Sequence, residues 1–143
     1  MKKHIGNRNV FLDANIILDY MLPRKHHSMY AASFFEQAQK FSAILYVCSF
    51  TFAIVYHHLR KSKMPHNIAL THLEKLLQKV VCLPVCDVTI QKAIKSGFRD
   101  FEDALQYHCA LQVPECDAII TRNPIDFALS SVFVTSPQKF SFQ

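Results

Sequence analysis

Short apolar runs alternate with longer amphipathic segments along the chain, and this alternation constrains the fold more than any other feature of the sequence. The runs are apolar almost throughout, which is typical of strands that are buried on both faces of a sheet. The pattern therefore predicts a three-layer α/β/α fold with a central parallel sheet of about five strands. The predicted strands are residues 9–12, 43–47, 80–85, 118–121 and 132–134. The helices between them are predicted to begin at the N-caps Ser28, Ser49, Asp87 and Asp100, and at Pro65.

Length and composition indicate one folded domain. The 143 residues are 50% hydrophobic and include 12 phenylalanines, so residues 1–143 are predicted to form a single domain with a substantial core. With only two glycines, the chain has no glycine-rich phosphate loop. No apolar run reaches the roughly 18 residues of a membrane-spanning helix, and the basic residues 1–4 are not followed by the apolar stretch of a secretory signal. We therefore expect a soluble, cytoplasmic protein without a membrane partner.

The cysteines and the net charge constrain function only weakly. Five cysteines at scattered positions are an odd number, which argues against a disulfide framework. Cys82 and Cys86 lie in an apolar run and are predicted to be small buried side chains rather than a metal-binding pair. The net charge of +5 is compatible with a nucleic-acid partner and does not require one.

Polar side chains follow the first and fourth predicted strands. Asp13 comes directly after the first strand, while Thr121, Asn123 and Asp126 come at or after the end of the fourth. Parallel strands end at the same edge of a sheet, and ligands of such sheets bind at that edge, near a switch in strand order. Asp13 has a second interpretation as a turn or N-cap residue, although Asn15 is better placed for a cap.

A second group of acids opens the predicted helix that begins near residue 100. As N-cap and first-turn residues, Asp100, Glu102 and Asp103 suit the helix dipole without any catalytic role. Asp103 lies near the apolar side of that helix, however, where a carboxylate is costly unless it has a function or a partner. Of the other acids, Asp19 is predicted to face solvent, and Asp117 precedes the fourth strand at the opposite edge of the sheet.

The carboxylate and amide oxygens at the strand ends are suited to one class of ligand. Hard cations such as Mg²⁺ and Mn²⁺ prefer oxygen ligands, and they catalyse phosphodiester cleavage by activating water and neutralising phosphate charge. A basic stretch at residues 57–63, which includes Lys61, is either a solvated helix end or a contact for phosphates.

Three segments in order resemble motifs of the PIN-domain family, namely residues 10–19, 100–107 and 117–127. The similarity extends from about residue 9 to residue 140, and the Asp-Phe-Glu-Asp sequence at 100–103 is similar to that of one branch of the family. The resemblance implies a Mg²⁺- or Mn²⁺-dependent ribonuclease built on a parallel sheet. Many small members are VapC-like toxins, which an antitoxin protein holds inactive and which are often dimeric. It therefore implies RNA as the substrate, and an antitoxin and a homodimer as further partners.

Carried over to this chain, the family pattern assigns the first metal-binding acid to Asp13. The acid that opens the later helix corresponds to Asp103, with Asp100 as a near alternative. If both assignments hold, Asp13 and Asp103 lie close together, and we expect their like charges to raise the pKa of one of them, Asp103 being the nearer to the apolar face.

The chain departs from the family pattern at two positions. Ile54 lies in the helix region where the family's second acid is expected, and no carboxylate occurs nearby. Asn123 takes the place of the acid after the Thr-Arg pair, and Asp126 follows three residues later. Fewer charges bind a divalent ion less tightly, so one tightly held ion at most and slow or substrate-dependent cleavage are expected.

Two functions follow from these features. In the first, the protein is an endoribonuclease in which Asp13 and Asp103 hold the ion and Asn123 or Asp126 completes the site. In the second, it is a PIN-like module with weak or no catalysis that binds RNA or a protein partner. The supporting residues of the nuclease site are predicted to be Asn15, Ser49 and Thr121, and its RNA-binding cations Arg122 and Lys61.

Overall fold

A computed structural model describes residues 7–143, and residues 1–4, on which the argument about a secretory signal rests, lie outside the described residues. The described chain contains a single parallel sheet with the strand order β3-β2-β1-β4-β5. Its strands are β1 (Asn9–Leu12), β2 (Ile44–Cys48), β3 (Val81–Leu83), β4 (Ala118–Ile120) and β5 (Val134–Thr135).

Helices cover both faces of this sheet. They are α1 (Ala14–Met21), α2 (Lys25–Lys40), α3 (Thr51–Lys61), α4 (His66–Lys79), α5 (Asp87–Ile94) and α6 (Phe101–Ala110), with a 3₁₀ helix at Pro124–Phe127. Helices α1 to α4 pack on the face that carries Val10 and Leu12, whereas α6 and the 3₁₀ helix pack on the face that carries Phe11, and α5 packs against α6. Because both faces are buried, the strands need to be apolar throughout. The predicted three-layer α/β/α fold with a parallel sheet is confirmed.

The strand order places the candidate residues. Strand β1 lies at the centre of the sheet, with β2 on one side and β4 on the other, so the order of the strands reverses between β1 and β4. Asp13 follows β1 and Thr121 follows β4, at the carboxyl ends of these two neighbouring strands. The two residues therefore flank the topological switch point, where parallel sheets bind their ligands.

The predicted N-caps differ in outcome. Asp100 is confirmed, because its side chain accepts a hydrogen bond from the backbone N–H of Asp103. The prediction for Ser28 is wrong, because Ser28 lies in the first turn of α2, where its hydroxyl donates to the carbonyl of Leu22. The predictions for Ser49 and Asp87 are also wrong. Ser49 lies two residues before α3, and Asp87 is the first residue of α5.

The prediction for two of the cysteines was wrong. Cys82 and Cys86 are exposed, because β3 is an edge strand and the chain leaves the sheet at Pro84, which has no N–H to donate. Cys48 and Cys109 are the buried cysteines of the described chain. Among residues 7–143, no helix is both long enough and apolar enough to cross a membrane.

Candidate active site

The carboxylate of Asp13 is buried at the carboxyl edge of the sheet, with a residue exposure of 3%. Asp13 occupies the N-cap position of α1, but its side chain makes no capping hydrogen bond. Instead, Oδ1 accepts a hydrogen bond from Nε2 of Gln106 at 2.9 Å, and Oδ2 accepts one from the hydroxyl of Thr121 at 2.8 Å. The backbone N–H of Asp13 donates to the carbonyl of Ile120, which ties the end of β1 to the end of β4. Asp13 is therefore the N-cap residue of α1 by position, but its side chain does not cap the helix.

Gln106 is the residue of this arrangement that the sequence analysis missed. It is buried on α6, and while its Nε2 donates to Asp13, its Oε1 accepts the backbone N–H of Ala14 at 2.9 Å. One side chain thus satisfies both a buried carboxylate and one of the unpaired N–H groups at the start of α1. The available indication was an uncharged polar residue three positions after Asp103, on the same side of the helix as that acid.

Thr121 supports the carboxylate from the other side. Its fully buried hydroxyl donates to Asp13 and accepts the backbone N–H of Asn123 at 3.1 Å, which fixes the turn after β4. A hydroxyl can donate one bond and accept two, so both contacts use it without conflict. Together, Gln106 and Thr121 hold the Asp13 carboxylate in one orientation.

Substituting Thr121→Val is expected to lower the free energy of unfolding by about 2 kcal/mol, because an isosteric methyl group leaves a buried carboxylate oxygen without its donor. Urea denaturation near pH 7 measures this change. The matched control is Thr71→Val on α4, where the hydroxyl is exposed and bonds only a helix carbonyl. We expect the control to change stability by less than about 0.5 kcal/mol. Equal values for the two variants would contradict a supporting role for Thr121.

Burial raises the pKa of Asp13 above its ordinary value. The hydrogen bonds from Thr121 and Gln106 oppose this effect because they stabilise the charged form, and the nearby backbone N–H groups of Asn15 and Ala14 add a smaller electrostatic contribution in the same direction. Ionising Asp13 in the absence of a cation therefore costs stability, and a positive charge placed beside it would be stabilised.

Asp103 lies on α6 one turn before Gln106, the residue that contacts Asp13. Partial burial raises the pKa of Asp103 to about 7, and the negative charge of Asp13 is the next largest cause. The charges of Asp100, Asp126 and Glu102 raise the pKa of Asp103 further. The charge of Asp13 thus raises the pKa of Asp103, the residue for which the sequence predicts such a shift, whereas the pKa of Asp13 is raised by burial.

The raised pKa of Asp103 predicts a pH-dependent stability. The folded chain binds the Asp103 proton more tightly than the unfolded chain does, so protonation of Asp103 stabilises the fold. This stabilisation is fully present below the ordinary pKa of 3.8 and is lost as the pH rises through about 7. In metal-free urea denaturation, Asp103→Asn should equal the wild type near pH 4. Near pH 8 it should be more stable by about 2 kcal/mol, a value reduced for solvent screening. A difference that does not change with pH would contradict this prediction.

Asp100, Asp103 and Asp126 line one groove of about 410 Å³ between the start of α6 and the 3₁₀ helix. Asp100 and Asp126 are exposed. Asp126 lies one turn after Asn123, the N-cap of the 3₁₀ helix, whose side chain is also exposed. The fold thus brings Asp13, Asp103, Asp100 and Asp126 to the same edge of the sheet.

The prediction that Asp19 faces solvent is wrong. Its side chain is only 2% exposed, and its Oδ2 lies 3.1 Å from Nε of Arg122, while its Oδ1 lies 3.4 Å from Nη1 of Arg24. The Arg122 contact is close enough for an ion pair, but its N–H is not aligned for a hydrogen bond. A carboxylate in the interior needs such partners, and here they come from the α1–α2 connection and from the turn after β4.

The remaining predicted residues make fewer contacts. Asn15 lies in the first turn of α1, and the Ser49 backbone N–H donates to the carbonyl of Leu83 at 2.8 Å, at the carboxyl end of β2. Lys61 is exposed as the last residue of α3, about two turns beyond the half-buried Ile54. Their assignment to a site stays a prediction.

The donor set at this edge is suited to a hard divalent cation. Within residues 7–143, no three carboxylates, imidazoles or thiols are grouped closely enough to hold a metal by themselves. Mg²⁺ commonly binds through one or two carboxylates and completes its shell with water and substrate phosphates, so two acids are sufficient. The raised pKa of Asp103 reflects an excess of negative charge, which a cation would relieve. By this criterion Asp13 and Asp103 fit such an ion.

Comparison with known proteins gives a family model and structural relatives. The model of the PIN domain matches residues 9–124. The fold is similar to VapBC-1 from nontypeable Haemophilus influenzae, with a TM-score of 0.69 and 18% identity over 92% of this chain and 99% of that chain. It is also similar to VapBC2 from Rickettsia felis bound to a DNA fragment from their promoter, with a TM-score of 0.66 and 14% identity over 90% and 98% of the two chains. A search of curated proteins found no match.

Proposed function

The chain belongs to the PIN-domain family, and from this premise we propose that it is a divalent-metal-dependent endoribonuclease that acts as the toxin of a toxin–antitoxin pair. The observation that carries the proposal is the buried Asp13 carboxylate, which Gln106 and Thr121 hold at the switch point beside the acidic start of α6. A buried acid with two dedicated donors and a second, partly buried acid near it is unusual for a purely structural residue, since burying a carboxylate beside a like charge is costly.

The proposed roles follow from the contacts of each residue. Asp13 and Asp103 would hold Mg²⁺ or Mn²⁺, with Asp100 as the alternative acid of α6. When bound, the ion would supply the acidity that activates water and the positive charge that stabilises the phosphate in the transition state. Asn123 or Asp126 would complete the site from the turn after β4, at the edge of the acidic groove.

The other residues would orient these groups and the RNA. Thr121 keeps the Asp13 carboxylate in place, and Asn15 and Ser49 would line the same edge from the ends of β1 and β2. Arg122, which Asp19 holds beside the site, would attract the RNA backbone, and Lys61 would do so from the end of α3. Electrostatic attraction of this kind is sequence-independent and weakens with added salt.

The structural relatives support the partner part of the proposal, because both are VapBC assemblies. We propose an antitoxin protein as the partner that blocks this chain, and a homodimer as its assembly. The proposal takes residues 1–143 as one PIN-like domain that acts in the cytoplasm, where its RNA substrates are.

A second candidate function rests on a specific observation. Ile54 provides no oxygen ligand, and residues 7–143 contain no group of three metal-binding side chains. A PIN-like module with weak or no catalysis, which binds RNA or a protein partner, would also satisfy these facts.

Cleavage assays with purified protein separate the two functions. Structured and unstructured RNA would be incubated with Mg²⁺, with Mn²⁺ and with a chelator, and the product ends would be identified by mass spectrometry. Attack by water leaves no 2′,3′-cyclic phosphate, whereas contaminating nucleases that use the 2′-hydroxyl of the RNA do leave one. We expect cleavage that requires the ion and gives linear ends. Cyclic ends or cleavage in the chelator would contradict the proposal, and RNA binding without cleavage would favour the second function.

A further inference from the structure

The N-terminal turn of α2 contains a lysine and no acidic residue, although acidic side chains are the ones that stabilise this end of a helix. This turn reads Lys25-His26-His27, and α2 is 16 residues long. The first N–H groups of a helix have no intrahelical acceptor, and the dipole makes this end positive. Basic side chains at this end therefore destabilise the free helix, and a bound anion would relieve that repulsion.

Two arginines are held beside this helix end. The buried carboxylate of Asp19 pairs with both Arg24 and Arg122, so one negative charge orients two positive ones. Together with Lys25, the group keeps an excess of positive charge. A groove of about 460 Å³ joins Arg24, Arg122 and the first turn of α2, and no acidic residue lines it.

A small cavity at the inner end of this cluster contains a polar atom without a partner. The cavity has a volume of about 50 Å³ and is lined by Asp19, His27, Tyr30, Arg122 and Ser136, among others. Ser136 is 9% exposed, and its buried hydroxyl oxygen makes no hydrogen bond to any residue of the described chain. A buried hydroxyl without a partner is costly, so a ligand with acceptor oxygens would be stabilised there. The cavity has room for a group larger than a single water molecule.

The strand order places this cavity along the same edge as Asp13. Arg122 follows β4 and Ser136 follows β5, while Asp13 follows β1, and these three strands are consecutive in the sheet. Neighbouring strands lie about 4.8 Å apart, so Ser136 is roughly 10 Å along the edge from Asp13. This offset suits a phosphate beside the scissile one rather than the scissile phosphate itself.

We propose that Arg122, Ser136 and the N-terminus of α2 form a subsite for a backbone phosphate of single-stranded RNA, next to the phosphate at Asp13. The inference rests on the proposed function and extends it by giving the path of the strand. The Arg122 guanidinium and the Ser136 hydroxyl would donate to the phosphate oxygens, and Lys25 would add long-range attraction. Tyr30, which is 39% exposed beside the cavity, offers a ring on which a base can stack.

The test is binding of a fluorescent, unstructured 12-nucleotide RNA, measured by anisotropy in a chelator at several salt concentrations. Arg122→Gln and the exposed Lys25→Gln are compared with the wild type, and Lys75→Gln on α4 is the charge-matched control. We expect Arg122→Gln and Lys25→Gln to weaken binding about 3- to 10-fold and to reduce the salt slope by about 1 each. Ser136→Ala should weaken binding about 3-fold without changing the slope, and the control should stay within about 2-fold.

The outcomes distinguish this inference from the proposed function. Unchanged RNA binding by Lys25→Gln and Ser136→Ala overturns the subsite, even if Arg122→Gln fails to fold. If these variants bind RNA as the wild type does but bind polyglutamate more weakly, the basic residues recognise protein carboxylates. That outcome also overturns the RNA subsite. If the variants lose RNA binding as expected while the wild type with Mn²⁺ does not cleave, the subsite stands and only the nuclease proposal fails.

Discussion

Replacing Asp13 with asparagine is expected to reduce RNA cleavage by at least about 100-fold, because changing even an outer-shell partner of a metal site commonly costs 10- to 100-fold. Asparagine has nearly the same shape as aspartate but lacks the charge that would balance the cation. Initial rates of RNA cleavage with Mn²⁺ or Mg²⁺ measure the effect. Asp117→Asn is the control, since Asp117 bonds the backbone N–H of Asn9 at the opposite edge of the same strands.

The local hydrogen bonds indicate that the Asp13→Asn chain will still fold. The new Nδ2 group can donate to the Thr121 hydroxyl, which can exchange its donor role for an acceptor role, while Oδ1 still accepts from Gln106. The substitution also removes a buried charge whose pKa is raised by burial. We therefore expect an unfolding midpoint equal to or above that of the wild type. Equal cleavage by the two proteins would exclude Asp13 from the site and indicate a contaminant.

The sequence is most informative where a local pattern carries the information. An apolar run that ends in an acid located β1 and Asp13, and the run before Thr121 located β4, because complete burial leaves little choice of residue type. Asp100 was also correct, since an N-cap depends on a few adjacent residues. These features determine the fold class and the edge at which the candidate site lies.

The contacts missed from sequence join residues that are far apart along the chain. Gln106 bonds Asp13 across 93 positions, and one of the two arginines that pair with the buried Asp19, Arg122, comes from a distant turn. The hydrophobic periodicity and the spacing of motifs describe only neighbouring parts of the sequence, so they cannot predict such pairs. The exposure of Cys82 likewise depends on β3 being an edge strand, which follows from the strand order and not from the apolar run.

Gln106→Leu is expected to lower the free energy of unfolding by about 3 kcal/mol at neutral pH. Leucine fills a similar volume but leaves the Asp13 carboxylate without one donor and the Ala14 N–H without its acceptor, each of which costs about 1–3 kcal/mol when buried. Urea denaturation measures the change, with Gln91→Leu on the exposed side of α5 as the matched control. A loss no larger than that of the control would mean that solvent replaces both hydrogen bonds.

Gln106→Glu tests whether the hydrogen bonds of Gln106, rather than its volume, hold Asp13 in place. A protonated glutamic acid can donate its O–H to Asp13 and accept the Ala14 N–H through its other oxygen, whereas an ionised glutamate can only accept and repels Asp13. The pKa of this glutamate would be raised, so its stabilising contribution is present at low pH and is lost as the pH rises. We expect Gln106→Glu to be close to the wild type near pH 4.5 and at least as unstable as Gln106→Leu near pH 8. Because leucine does not titrate, the two variants should diverge on acidification, and parallel stability curves would contradict the bridging role of Gln106.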